Sequence, residues 1–456
     1  MLKMVKRPKL EERAQDNVLS EDPLKIGIIH YFWNSSSRGV NTVVNNSIVR
    51  GGKVLYPNIE PVFIGEEFQK GVFDDHIQRK LPLFNSDSYR YLLGGLIDLT
   101  KDLDYIIIEN PVRGVNPYAT KAFKELTEVI DKPVHWRTHD GIWDHKGDWN
   151  KFNQVFEHTQ QAFPRTPNFS CSVLTSPAKI SMQKYYDKEI NVIRNSIVCD
   201  DFERNNPKKD EEFRKLLEEK GILLPGEEPI VCPNRIVGRK AIEVAFPIMK
   251  NLNENLSEIT GKKYRLIVTE SIDDEKAYSQ LNTYQRVLEF VAKKHNIPVS
   301  LGEVSKYIDG KNFNIGNLYH ISPLALSPSE WEGFGLMYLE SQVARTPLIG
   351  RYLTLVHPDF EQREMNFKHF YNDELIKPYG TNWVRRMQDI EHILSDKEAH
   401  REFTDELDLE RRMKRAELVL NDNEKAVRKH YNHIDSARKI SKVMKLPGYE
   451  KLEKVV

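Results

Sequence analysis

Short apolar runs alternating with helical stretches set the first limit on what this chain can become. From Lys25 the sequence reads "KIGIIHYFW", then "PVFIG" at Pro61, "DYIIIEN" at Asp104, "PVHWRTHD" at Pro133, "CSVLTS" at Cys171 and "INVIRNS" at Ile190. Between most of these lie helical segments such as "NPYATKAFKELTEVID". After the loop "NSSSRG", residues Val40, Val43, Val44, Ser47 and Ile48 share one helical face. Short, continuously apolar strands separated by helices predict a parallel sheet covered on both sides.

The alternation lapses around "DDFERNNPKKDEEFRKLLEEKG", a polar stretch longer than one helix, which reads as a linker and the first helix beyond it. It then restarts with "PIVCPNR", a helix from Ala241, "KYRLIVTES", a helix through "YQRVLEFVAKKHN", "IPVSLGEV", "ISPLALSPSEW" and "TPLIGR". A second doubly wound α/β domain is predicted. The expected divisions are an N-terminal arm over 1–24, a Rossmann-like domain over 25–203, a second over 204–425 and a helical tail over 426–456. The stretch "RRMKRAELVLNDNEKAVRKHYNHIDSARKISKVM" reads as one long helical region.

Composition excludes several classes. Lys plus Arg and Asp plus Glu both total 67 in 456 residues, so the formal charge is zero. Phosphate-tracking proteins carry a basic excess, so nucleic acid is not expected as a partner. Cys171, Cys199 and Cys232 are too widely spaced for a zinc motif or a disulfide framework, which suits a reducing, cytoplasmic setting. No run approaches the roughly 20 apolar residues of a transmembrane helix. The N-terminal arm lacks the apolar centre of a signal peptide. The basic tail from Lys425 leaves a peripheral membrane contact open, although a solvated helix face is the simpler reading.

Open α/β sheets bind ligands beyond the carboxyl ends of their strands, so residues that follow strands carry the functional reading. In "SPSEWEGFGLMYLESQ" a strand turns into a helix whose first turn is expected to hold the glycines. Gly333 and Gly335 leave room for a ligand beside the backbone, and a helix N-terminus suits hydroxyl or phosphate oxygens. Glu332 precedes this helix and Glu340 is expected two turns inside it, about 12 Å further along the axis. That separation suits the two ends of one extended ligand. In "PNRIVGRKAIE", Arg235 and Lys240 follow a strand, where an Arg fork and a Lys point charge suit a diphosphate; an ordinary basic loop is the alternative. Gly39, after "NSSSR", opens a helix without the spacing of a phosphate-binding fingerprint. His139, in "RTHDG", ends an apolar strand and is either an acid/base group or an ordinary strand-end histidine.

In this order the pieces resemble retaining glycosyltransferases of the GT-B fold, specifically the family-four group. The resemblance rests on "EGFGLMYLE" as a Glu-x7-Glu motif, on the Arg235/Lys240 spacing, on the glycine loop after the first strand, on "THD" and on "VIRNSIVCDDF" as the hinge segment. It implies two facing doubly wound Rossmann-like domains, with the helical tail packing back on the first. Arg235 and Lys240 would bind the diphosphate of a nucleotide sugar, Glu340 the ribose and Glu332 the transferred sugar. The backbone at Gly333, Phe334 and Gly335 would face sugar hydroxyls or phosphate, with Gly39 on the diphosphate and His139 at the reaction centre. Glu303 and Val304 would lie near the base. Departures from the family pattern are Asn234, Ala241, Ser196 and Arg345, each where glycine is usual.

The implied activity is transfer of a hexose, with retention, from a GDP-mannose or UDP-glucose type donor to a hydroxyl acceptor in the cleft between domains. No cofactor and no metal would be required. Alternatives are a sugar-nucleotide-binding or scaffold protein without turnover, or another GT-B enzyme such as an epimerase or phosphorylase. Oligomeric state is not legible.

Overall fold

The computed structural model describes residues 23–33, 38–68, 73–83, 86–142, 149–270, 278–308, 310, 312–379 and 382–454. The expected N-terminal arm lies outside them except at its last two residues, as does the loop Asn34 to Ser37. The chain forms two compact units. One runs to Ile197 and resumes at Tyr431; the other spans Val198–His430.

Unit 1 contains β1 (Leu24–Ile29), β2 (Phe32–Trp33), β3 (Ile59–Gly65), β4 (Glu67–Phe68), β5 (Ile77–Lys80), β6 (Tyr105–Glu109), β7 (Val134–Thr138), β8 (Phe169–Val173) and β9 (Asn191–Val192). Seven of these form a parallel sheet in the order β5-β3-β1-β6-β7-β8-β9, while β2 and β4 pair separately. Successive strand residues enter opposite cores, as a period of two requires. Ile29, Ile106 and Ile108 pack on one face, and Ile26, Ile28 and Ile107 on the other. The strand β5, "IQRK", was not foreseen. It is a half-exposed edge with no apolar run to announce it.

Helix starts follow local capping chemistry. Asn116 accepts from Tyr118 N and Ala119 N ahead of Pro117–Val129, with proline at the first helical position. The helix predicted after "NSSSRG" spans Arg38–Val44, continues through a π-helical turn, Asn45–Arg50, and ends in Gly51–Leu55.

Unit 2 contains β10 (Glu227–Arg235), β11 (Lys263–Glu270), β12 (Val299–Leu301), β13 (Leu324–Ser327) and β14 (Leu348–Gly350), parallel and ordered β12-β11-β10-β13-β14. The polar stretch expected to hold a linker and a first helix supplies the helix Pro207–Glu219, capped by Asn206.

The tail departs from the reading of one long helical region. It forms Leu409–His430 and His433–Met444, separated where Asn432 caps the second helix through Asp435 N. The break coincides with the return of the chain from unit 2 to unit 1. His433–Met444 then adds Ile434, Ala437, Ile440 and Met444 to the core containing Ile26 and Ile28. Among the described residues no helix is long and apolar enough to cross a membrane.

Candidate active site

In each sheet the strand order reverses once, between β1 and β6 in unit 1 and between β10 and β13 in unit 2. At such a point the connections leave in opposite directions and open a crevice at the carboxyl ends.

In unit 2, β10 ends at Arg235, with a break in register between Cys232 and Arg235. Arg235 is about one-third exposed, and its Nε lies 3.9 Å from Glu270 at the end of β11. The chain then makes a tight turn, Gly238–Lys240, and passes through Ala241 in the left-handed conformation, φ 51°. Arg345, just after the helix Met337–Val343, is also left-handed, φ 58°, and its side chain reaches Glu424 and Asn421. Both stand where the resemblance expects glycine, the residue that adopts this backbone without steric cost.

From β13 the chain enters residues 328–336, which lie against the β10 loop. Glu330 N donates to Arg239 O at 3.0 Å, and Arg239 Nη1 donates to Trp331 O at 3.0 Å while its guanidinium lies 4.9 Å from the Trp331 ring centroid. Lys240 Nζ donates to Glu332 Oε1, and Arg239 Nη1 stands 4.0 Å from Glu332 Oε2. Both partners of the Lys240–Glu332 pair are buried. Burial lowers Lys240 to about 8, against the opposing pull of Glu332. Burial also works against the Glu332 carboxylate, but Lys240 and Arg239 outweigh it and hold Glu332 below its ordinary value.

Beneath these loops Arg386, wholly buried, donates to Gly238 O and to Glu243 at 2.6 Å, and pairs with Glu330 at 2.8 Å. One guanidinium from the helix Trp383–Ser395 thus fixes both loops.

The motif helix begins later than the sequence suggests. It spans Met337–Val343, so Gly333 and Gly335 lie before it, and Glu340 stands in its first turn rather than two turns in. The physical cause is Gly335, whose φ of 85° is incompatible with a right-handed helix. Phe334 is buried against Phe360. Glu340 is half-buried and accepts from Tyr319 OH at 3.2 Å. Burial pushes its carboxyl up to about 7, against that hydrogen bond.

Glu303 is exposed at the end of β12 and lines a groove of about 440 Å³ with Gln285, Glu289 and Lys306. Val304 beside it is wholly buried, so its side chain presents no surface.

In unit 1, Gly39 is exposed in the helix after β2, with nothing within 4 Å of a Cβ built on it. His139 follows β7, its ring largely buried, with Nε2 2.5 Å from Oε2 of Glu109 at the end of β6. The sequence reading overlooked Glu109, Arg239, Tyr319 and Arg386. "IIIEN" did carry a signal for Glu109, a carboxylate ending an otherwise apolar strand; nothing local marked Tyr319 or Arg386.

No family model matches the chain. Two curated proteins, both named mannosylglucosylglycerate synthase, are similar to it. That of Petrotoga mobilis is 21% identical over 341 residues, covering 71% of this chain and 76% of its own. That of Thermotoga maritima is 22% identical over 358 residues, covering 74% and 79%. Among solved structures, HepE of Anabaena, in complex with UDP and glucose, matches with a TM-score of 0.58 at 11% identity, over 92% of this chain and 99% of its own. The fold is that of the GT-B glycosyltransferases.

Proposed function

We propose that this protein is a retaining glycosyltransferase that moves a hexose from a GDP-mannose or UDP-glucose type donor to a hydroxyl acceptor. The observation that carries this reading is the buried Lys240–Glu332 pair at the switch point of unit 2, with Arg235 at the end of β10 and Arg239 in the turn that follows. Breaking the bond between an anomeric carbon and a nucleoside diphosphate places negative charge on the leaving phosphate. Fixed cations at that place stabilise the transition state without reorganising. Arg235 and Lys240 are assigned to the diphosphate, Glu332 to the sugar and Glu340 to the ribose. The backbone from Gly333 to Gly335 is assigned to sugar hydroxyls or phosphate, Glu303 and Val304 to the base, Gly39 to the diphosphate and His139 to the reaction centre. Retention without a positioned nucleophile corresponds to front-face transfer, in which the departing phosphate accepts the acceptor's proton. A UDP and glucose complex of a protein of this fold supports a nucleotide-sugar donor. The relatives' name makes mannose the first sugar to test and a glucosylglycerate the first acceptor.

The test is release of nucleoside diphosphate from a panel of nucleotide sugars, with the product's anomeric configuration read by proton NMR as it forms. Retention is expected, and an inverted product would overturn the mechanism. Arg235→Ala and Lys240→Ala should each lower kcat by on the order of 10²-fold in folded protein. Wild-type rates in both variants would remove the diphosphate assignment.

A further inference from the structure

The crevice of unit 1 holds a constellation that the proposed function leaves unexplained. Glu109 is fully buried at the carboxyl end of β6, where a carboxylate is costly unless paired. Its nearest cation, Arg137, stands 3.8 Å away and spends its own hydrogen bonds elsewhere, on Ser47 at 3.0 Å and Asn195 at 3.2 Å. The short contact of Glu109 is instead with the His139 ring, 2.5 Å from Oε2 to Nε2. The next residue, Asn110, holds the same histidine by its backbone. In a left-handed conformation, φ 56°, its Oδ1 accepts from His139 N at 2.7 Å and Asp140 N at 3.2 Å, and its Nδ2 donates to Asp140 Oδ1 at 2.9 Å. Two consecutive residues of β6 and its turn thus fix both backbone and ring.

The chemistry of the contact decides where the ring hydrogen sits. An ionised carboxylate only accepts, so the nitrogen facing it must carry the hydrogen. Burial works against a charge on Glu109, but Arg137 at 3.8 Å and the hydrogen bond from the His139 ring favour the carboxylate, and the group is held below its ordinary value. In the neutral ring this leaves the lone pair on Nδ1, which has no hydrogen-bond partner among the described residues.

We propose that Glu109 is a positioning residue that locks His139 in the Nε2–H tautomer and so presents Nδ1 as a hydrogen-bond acceptor to a ligand hydroxyl. This rests on the proposed function for one point, that the hydroxyl belongs to a sugar. A histidine held the other way round would offer a donor there, repel a hydroxyl hydrogen and bind the same ligand in a different orientation.

The direct test is long-range proton–nitrogen NMR of protein carrying ¹⁵N-histidine, at a pH where the ring is neutral, with His139→Asn used to assign the signal. The expected spectrum shows a protonated Nε2 and an unprotonated Nδ1. Glu109→Gln, whose amide both donates and accepts, should shift His139 towards a tautomer mixture and lower kcat by roughly 10- to 100-fold, with the donor KM changed less than about two-fold. A proton on Nδ1 of the wild-type protein, or an unchanged tautomer in a folded Glu109→Gln variant, would overturn the inference. The wild-type spectrum decides the tautomer even if the variant does not fold. Absence of sugar transfer from every nucleotide sugar would instead remove the proposed function, an outcome the spectrum does not depend on.

Discussion

Glu340, assigned above to the ribose, carries a stability cost that can be read from its burial. Its carboxyl is raised to about 7 by burial, so the folded state holds a proton there that the unfolded chain loses near its ordinary value of 4.5. The stability this proton represents is complete below pH 4.5 and is lost as pH rises through 7. Glu340→Gln removes the titration. We expect the variant to be more stable than the wild type above pH 7, by on the order of 2 kcal/mol, with the advantage shrinking to nothing at acid pH. Denaturant melts at several pH values would read it, and a difference independent of pH would refute the burial argument. The same variant should bind nucleoside diphosphate roughly ten-fold more weakly if Glu340 accepts from the ribose. Lys240 and Glu332, by contrast, are coupled: removing either leaves a buried charge without its partner, so Lys240→Ala carries a stability cost beside its effect on rate.

At the scale of elements, the helix Gly51–Leu55 and the tail helix His433–Met444 meet through a glycine. A Cβ at Gly51 would come within 2.5 Å of His433 O and 3.0 Å of Ala437 Cβ, whereas one at Gly52 meets only the Ile59 Cδ1 methyl at 3.0 Å. In an exposed helix both Gly→Ala changes would stabilise, by about 1 kcal/mol each. Here the signs should separate. Gly51→Ala pushes against backbone and should destabilise by roughly 1–3 kcal/mol, while Gly52→Ala should be neutral or slightly stabilising because a methyl can yield. Thermal melts of the two variants test the close approach, and equal effects would contradict it.

At the scale of the whole molecule, the chain leaves unit 1 at Ile197 and returns at Tyr431. The returning segment buries Ile434, Ile440, Met444, Leu446 and Leu452 in the core of unit 1. At about 2 kcal/mol for each buried side chain, its removal forfeits on the order of 10 kcal/mol, comparable to the total stability of a domain. A chain ending at His430 should therefore lose protection from hydrogen exchange throughout unit 1 while keeping it in β10 to β14. Protection retained in both units would show that the tail is dispensable.

The local patterns were legible because each is written within one strand or one turn. Continuous apolar runs announced the strands that were predicted, and the strand-to-helix stretches placed Arg235, Lys240 and Glu332 at or beyond carboxyl ends; Asn116-Pro117 and Asn206-Pro207 carried helix-start signals of the same local kind. The half-exposed edge β5 and the late start of the motif helix escaped, the first for want of apolar residues and the second because the left-handed Gly335 cannot be told from a helical one by its letter. Which side chains meet was decided only by the tertiary structure. Lys240 and Glu332 are 92 positions apart, and they touch because the sheet order sets β10 beside β13. Glu109 and His139 touch because β6 neighbours β7, and Arg386 reaches both loops from a helix 143 residues beyond Glu243. Periodicity and capping are short-range, whereas partner choice depends on strand order and register, which are set by the packing of the whole chain.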